Sequence, residues 1–582
     1  MNRRERRKQK KLQTGGGGPA QDLFHQALGI HQQGDAIGAL EIYRTIIENT
    51  PNNADVMALA GIASCQIGEL GEGINYLQRS VAIQSDNPDT QFNLGQALET
   101  SGRFEEAVTP YQKVIAIEPG NMDAHFNLSS VFHALARDTE AAEHLRRVIS
   151  INPDHADAYS NLGTALIELK EFDEAEASFR KALSLKGEDA VVLSNLGSVL
   201  QDQNNLDEAI EAHERALALQ PDYAAGHGNF GNTLARRGNL KEAIEHFERA
   251  LSLNPDLIEA RSNYCMALLK DGRFEDGWRE YSTRWAWKGF DHPTRPFTQP
   301  HWAGEPLEGK TILVWGEQGI GDELMFANMF PDLLEQADKV LAECDPRLVP
   351  LFERSFPNIT AFSRDNPPDP ALLDTTIDYQ IPSGELGCYL RPNLSAFPQH
   401  TGYIKPNEQD VSRLREKYRR LGNGAFNIGI SWHSGNPGAG EKRSTGLDLW
   451  QPILTTPECF FVNLQYGKVK PILEAFKAET DVTIYYDDEV DPLENMDLFA
   501  AQISAMDLVI SIDNSTVHTA GAVGAPVWTL LPFAPNWRWL QGHDDSYWYP
   551  SMKIIRQENL GAWDSVFEAA DTALKQHLKR TK

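Results

Sequence analysis

The chain has 582 residues, with 54 Lys and Arg against 82 Asp and Glu, for a formal net charge of −28. That length asks for two to four domains rather than one core, and the negative charge argues against non-specific nucleic-acid binding by the folded body, because phosphates are repelled. No run approaches the ~18 apolar residues of a membrane span, and the five cysteines lack CxxC spacing, so neither a disulfide framework nor a zinc site is predicted and a reducing cytoplasm fits.

Residues 1–19 open with "MNRRERRKQKKLQTGGGG". The stretch is basic with no apolar segment behind it, so it predicts a disordered, solvated arm and not a secretory signal. From there to residue 291 the chain repeats itself every 34 residues. Pro51, Pro119, Pro153, Pro221 and Pro255 share one grid. A second holds Gly61, Gly95, Ser129, Gly163, Gly197, Gly231 and Cys265, and a third holds Ala39, Gly73, Ala107, Ala141, Ala175, Ala209, Ala243 and Gly277. Small residues recur where two helices cross closely, and proline ends the second helix of each pair. The pattern resembles the tetratricopeptide repeat, which implies an α-solenoid of about eight units over residues 20–291, each unit contacting mainly its neighbours.

A fourth grid holds Asn93, Asn127, Asn161, Asn195, Asn229 and Asn263. Asparagine is a mediocre helix former, so six in register need a cause. An amide carries donors and an acceptor and can pair with the backbone of an extended peptide without reading its sequence. The other reading is that each bridges helices inside the solenoid. The ladder resembles that of nucleocytoplasmic O-GlcNAc transferases, which implies a protein acceptor in the repeat groove.

Residues 292–308 predict a linker. Beyond it strands and helices alternate, which predicts parallel sheets in two Rossmann-like lobes, 309–402 and 403–582, the second ending in a helix. In the first lobe the apolar run "TILVW" leads into "GEQGIGDE" and a helix expected over 322–336. The glycines lack the order of a dinucleotide loop and no Lys-Ser/Thr follows, although Glu343 stands where a ribose contact would, which keeps a dehydrogenase as a minor alternative. In the second lobe "LVISI" runs into Asp513-Asn514-Ser515-Thr516. A strand's carboxyl end that is also a helix start gathers free N–H groups and hydroxyls, a place suited to a phosphate. Ser515 and Thr516 would cap that helix in any case.

"GIGDELMFANMFPDL" and "DLVISIDNSTVHTAGAVGAPVWTLLP" resemble the turn helix and donor loop of bacterial heptosyltransferase-like glycosyltransferases. With the repeats and the tail "PFAPNWRWLQGHDDSYWYPSMKIIRQ", the chain resembles bacterial repeat-linked glycosyltransferases of the GT-B fold, some of which modify flagellin with nonulosonic acids. The resemblance implies a soluble cytoplasmic enzyme that moves a sugar from a nucleotide-sugar donor, such as a CMP-nonulosonic acid, to Ser or Thr of a captured protein. It implies Asp322 as catalytic base, and Asp513, Asn514, Ser515, Thr516 and His518 as the donor loop, with His518 donating to the leaving phosphate. Lys442 and Arg443 would neutralise phosphate charge, and Trp537 and Arg538 would contact base or sugar or pack the lobe interface. Asn514 stands where a threonine is usual in that family. No DxD pair occupies a clear strand-end loop, so no obligatory metal and no cofactor is expected. The alternative from another class is a repeat scaffold or chaperone without turnover.

Overall fold

The computed structural model describes residues 19–290, 292–435 and 440–581; the expected basic arm lies outside the described residues, apart from its final proline. Sixteen helices, from Pro19–Gln32 to Phe274–Tyr281, form successive hairpins. The chain divides into two compact units, residues 1–221 and 222–582.

In the first unit the small-residue grid has a direct cause. Each small position faces the residue 16 places on, in the second helix of its hairpin. A Cβ added at Gly95 would lie 2.8 Å from the Tyr111 ring, at Gly163 2.7 Å from Phe179, and at Gly197 2.6 Å from His213. Asn53, Asn87 and Asn121 cap the next helices by accepting from backbone N–H groups. The apolar stripes meet in a core running through Leu94, Leu98, Tyr111, Leu128, Phe132, Leu145 and Phe179.

The second unit begins with the last two hairpins and continues into two parallel sheets. The first has the order β3-β2-β1-β4, with β1 Thr311–Trp315, β2 Lys339–Cys344, β3 Ile359–Ser363 and β4 Tyr379–Pro382. The second has the order β6-β5-β7-β8-β9, with β5 Phe426–Ser431, β6 Cys459–Asn463, β7 Leu508–Ile512, β8 Val527–Leu531 and β9 Met552–Arg556. Both show the alternation of strand and helix expected of doubly wound sheets. The helix expected over 322–336 is broken. Ile320–Phe326 is α-helical, Ala327–Met329 tightens to a 3₁₀ turn, and Phe330–Leu334 resumes, because Pro331 has no N–H to continue the ladder.

Residues 292–308 are a strap rather than a free linker. The Trp302 N–H donates to Gln380 O and the Gln380 N–H to Pro300 O, both on the free edge of β4, and Trp302 is buried. Arg295 pairs with the buried Glu343, so the carboxylate of the dehydrogenase alternative is already taken. The last repeat is welded to the first sheet. Trp278 donates to Arg391 O at 2.8 Å. Arg284, 2% exposed, grips Glu317 through Nε at 3.0 Å and Nη2 at 2.9 Å, and reaches Glu385 at 2.9 Å. Tyr403 and Ile404 carry the chain from the first sheet to the second, and both N–H groups donate to Ala522 O. The approach there needs glycine: a Cβ at Gly524, whose φ is +75°, would lie 1.8 Å from Thr401 O.

Candidate functional site

Strand order determines where a ligand fits. In a doubly wound sheet, a crevice opens at the carboxyl ends where successive crossovers go opposite ways. In the second sheet that point lies between β5 and β7, and in the first between β1 and β4. Sequence-predicted residues cluster at the first of these crevices.

The Asp513–Thr516 turn follows β7 and starts the Ser515–Ala522 helix. Asn514 is spent on structure. Its Oδ1 accepts from the Thr516 N–H at 3.0 Å, capping the helix, and its Nδ2 donates to Ser431 Oγ at 2.8 Å and His433 O at 3.1 Å. It therefore ties the β7 turn to the β5 turn and has little left for a ligand. The β5 turn is held from its other side by Gln465, whose Oε1 accepts from Ser431 Oγ and from the Trp432 and His433 N–H groups. Arg443 reaches in from this turn and pairs with Asp513 Oδ2 at 3.1 Å. Lys442, its neighbour on the short helix Gly440–Arg443, is exposed.

The first lobe meets this turn through the Ile320–Phe326 helix. A Cβ at Gly321 would lie 2.9 Å from His518 Cδ2 and 3.6 Å from Ser515 Cα, so the glycine lets the two helix starts touch. Asp322 in this helix forms an ion pair with Arg538 of the Trp537–Trp539 turn. Arg538 is 8% exposed. Burial opposes its charge, and Asp322 and Asp513 together lift its pKa above the ordinary value. Burial alone would raise the Asp513 carboxyl, but Arg443 and Arg538 overcome it and hold it below the usual range. Burial, with Arg538 second, pushes His518 down to about 3, so the ring is neutral at physiological pH. His518 stacks on Trp539 at 5.3 Å, and its Nδ1 hydrogen-bonds the Tyr549 hydroxyl at 2.9 Å.

By distance and angle, Asp513 Oδ1, Thr516 Oγ1, Arg538 Nε and Trp539 Nε1 are buried without a hydrogen bond, although the Trp539 indole still helps to hold the Asp513 charge. Buried polar groups are nearly always paired, so this concentration makes the turn the candidate site. Two Arg and two Asp side chains face each other with Ser515 half-buried at the helix start. Trp537 does not belong to this surface. Its rings are covered by Trp278, Tyr281 and Trp548, so it packs the core and offers no stacking face. Sequence reasoning missed Tyr549, Tyr403, Gln465 and Glu317, none of which has a repeat or a strand-end pattern to signal it. Among the described residues no group of three or more His, Cys, Asp or Glu side chains is disposed to hold a metal ion.

In the first unit Asn93, Asn127, Asn161 and Asn195 are half-buried at matching helix positions. Asn93 Nδ2 donates to Asp89 O at 2.7 Å and Asn127 Nδ2 to the Tyr111 hydroxyl at 3.2 Å. At least these two amides are partly engaged within the repeats. Asn229 and Asn263 hold the same register, also half-buried, in the second unit.

The tetratricopeptide-repeat family matches the chain at residues 59–122, 92–154, 137–194 and 188–256. Such repeats are protein-interaction modules. The chain is 34% identical over 317 residues to Protein FlbA of Caulobacter vibrioides, a match spanning 52% of this chain and 53% of that protein, about half the length of each. Among solved structures, MamA is 25% identical, with a TM-score of 0.27 over 29% of this chain and 92% of that one. YrrB, described as a repeat protein with an unusual peptide-binding site, is 21% identical, with a TM-score of 0.27 over 32% of this chain and 95% of that one.

Proposed function

We propose that the chain is a metal-independent glycosyltransferase of the GT-B type that moves a sugar from a nucleotide-sugar donor to Ser or Thr hydroxyls of a protein held by the repeats, with flagellin and a CMP-nonulosonic acid as the first acceptor and donor to test. The observation that carries this reading is the meeting of Asp322, from the first lobe, with Arg538, Arg443 and the Asp513–Thr516 turn of the second lobe at a strand-order reversal. The repeat matches support the acceptor side, because an array of this kind binds polypeptide along its groove.

The chemistry follows from the charges. The donor phosphate brings oxygens that compete with Asp322 for the Arg538 guanidinium, and Arg is suited to bidentate phosphate contacts. Arg443 and the Ser515 and Thr516 hydroxyls lie ready to share that phosphate, at a helix start that favours negative charge. Once Arg538 has turned to the phosphate, Asp322 is free to accept the acceptor's hydroxyl proton. The acceptor oxygen then bonds to the anomeric carbon as the bond from that carbon to the phosphate oxygen breaks, and the electron pair leaves with the nucleotide. Direct displacement of this kind inverts the anomeric centre.

The test is intact-mass analysis of flagellin incubated with the purified chain and a panel of nucleotide sugars. A sugar-sized mass increase that disappears in Asp322→Asn, with flagellin still captured, is the expected result. Transfer that survives in Asp322→Asn removes the base assignment. A catalytically silent scaffold, the reading that the repeat matches favour by themselves, would capture flagellin and leave its mass unchanged with every donor.

A further inference from the structure

The loop that carries Arg538 is fastened from two sides. From the sheet, Arg556 at the end of β9 grips it. Its Nη2 donates to Trp539 O at 2.5 Å and to His543 O at 2.7 Å, and its Nε to His543 O at 3.1 Å. From the other side Gln541 ties the loop to the repeats. Its backbone N–H donates to Lys270 O at 3.0 Å and its Nε2 to Gly238 O at 2.6 Å. Gly238 caps the end of the Ala224–Arg237 helix, and Lys270 is the last residue of the Ile258–Lys270 helix. Carbonyls at such ends have no partner within their own helix. One residue thus bridges the first helices of two successive repeats. Leu540 lies between Trp539, held by Arg556, and Gln541, held by the repeats. Its φ is +41° and its ψ 157°, a conformation that a bulky L residue rarely adopts. Such strain persists only where the surroundings over-determine it, and the two ties supply that constraint.

We infer that Gln541 is a positioning residue that makes the placement of Arg538 depend on the spacing of the last two repeats, and so couples the repeat groove to the phosphate site. In a solenoid each repeat contacts mainly its neighbours, so the angle between adjacent repeats is what a polypeptide seated in the groove acts on. The Gly238 and Lys270 carbonyls belong to adjacent repeats, and their separation follows that angle. Gln541 moves with them. Two residues before it Trp539 stacks on His518 at 5.3 Å, and three before it Arg538 pairs with Asp322. Coupling of this kind is reciprocal. A phosphate that holds Arg538 favours one repeat spacing, and with it one fit of the groove to its polypeptide. The Gln541–Gly238 bond lies at the surface, so it contributes to alignment more than to stability. The bearing on a donor phosphate rests on the function proposed above, whereas the tie between loop and repeats does not.

Hydrogen-exchange mass spectrometry of the full chain reads the loop without any ligand, and calorimetric titration with CMP reads the phosphate site. Gln541→Ala should speed exchange of the 537–543 amides and weaken CMP binding by about two- to tenfold, the worth of one hydrogen bond, with the melting temperature unmoved. Gln541→Lys, whose amine again donates to Gly238 O, should restore both. Gly228 tests the coupling from the repeat side. A Cβ there would lie 3.3 Å from Ala260 Cβ, between the same two helices, so Gly228→Ala wedges them apart without touching the loop. It should speed exchange in 537–543 as Gln541→Ala does, and Gly228→Val should do so further; if the valine variant does not fold, the alanine variant decides. Unchanged loop exchange in Gln541→Ala, or a loop that ignores the Gly228 wedge, overturns the inference, as does a lowered melting temperature with CMP affinity unchanged. A wild-type chain that binds no CMP counts against the glycosyltransferase reading and leaves the exchange results to decide the coupling.

Discussion

The first unit and the second use the same arginine–carboxylate chemistry in opposite ways. In the repeats, Arg44–Glu72, Arg146–Glu174 and Arg180–Glu208 join residues 28 apart, and their side chains remain about one-third to three-fifths exposed. Each recurs because the repeat recurs. In the second unit, Arg284–Glu317, Arg295–Glu343, Arg538–Asp322 and Arg443–Asp513 follow no repeating interval, with separations from 33 to 216 residues, and each has a carboxylate or guanidinium with little or no contact with water. An exposed pair gains little, because water solvates both charges nearly as well. A buried pair is poor evidence of net stabilisation, yet breaking it strands a charge, so it fixes geometry strongly. The repeats thus obtain their order from packing, and the sheets and their crevice obtain it from pinned charges.

That contrast can be broken at several points. The largest effect is expected from Arg284→Ala, which leaves Glu317 and Glu385 buried beside an empty space. Loss of about 3–5 kcal/mol from the second unit should appear in urea melts, with the first unit's transition unmoved. In the first unit, Gly95→Ala should cost about 1–3 kcal/mol by forcing the Tyr111 ring aside. A cost below the scatter of the melts would mean that the helices there are looser than the small-residue grid implies.

Acid provides a milder probe. Burial, with His125 second, pushes His144 down to about 4, while an unfolded imidazole titrates near ~6.5. Between those values the unfolded chain binds a proton that the folded chain rejects. Stability is therefore complete above pH ~6.5 and falls as pH drops towards 4, by roughly 1 kcal/mol once solvent screening of a half-buried ring is allowed for. His144→Leu should flatten that slope in thermal melts of the first unit. The smallest effect belongs to Arg180→Ala, less than about 1 kcal/mol and less still in high salt. A loss comparable with that of Arg284→Ala would abolish the distinction between the two regions.

The same distinction explains what could be read from the sequence. The repeats were legible because one crossing geometry is copied many times, so Gly61, Gly95, Gly163 and Gly197 all record the same close contact. The strands were legible because a parallel sheet covered on both faces needs continuous apolar runs such as "LVISI". Asp322, Asp513, His518 and Arg538 were singled out by a family resemblance together with their place at helix starts and after strands, and they do converge. Their partners were not recognisable. Arg538 finds Asp322 across 216 residues, and nothing local announces it. Tyr549 looks like an ordinary core aromatic until its hydroxyl is traced to His518. Asn514 and Trp537 have site-like positions in sequence, but the fold spends one as a cap and the other as packing.

The weld through Trp278 and Arg284 also bears on how such a chain can be cut and rebuilt. Starting the sheet-bearing half at the strap would strip the cover from Trp537 and leave Glu317 facing an absent cation. The final two hairpins act as a foundation slab for the sheets. Any graft of this α/β half onto a foreign repeat array has to carry that slab along, from residue 222 onward.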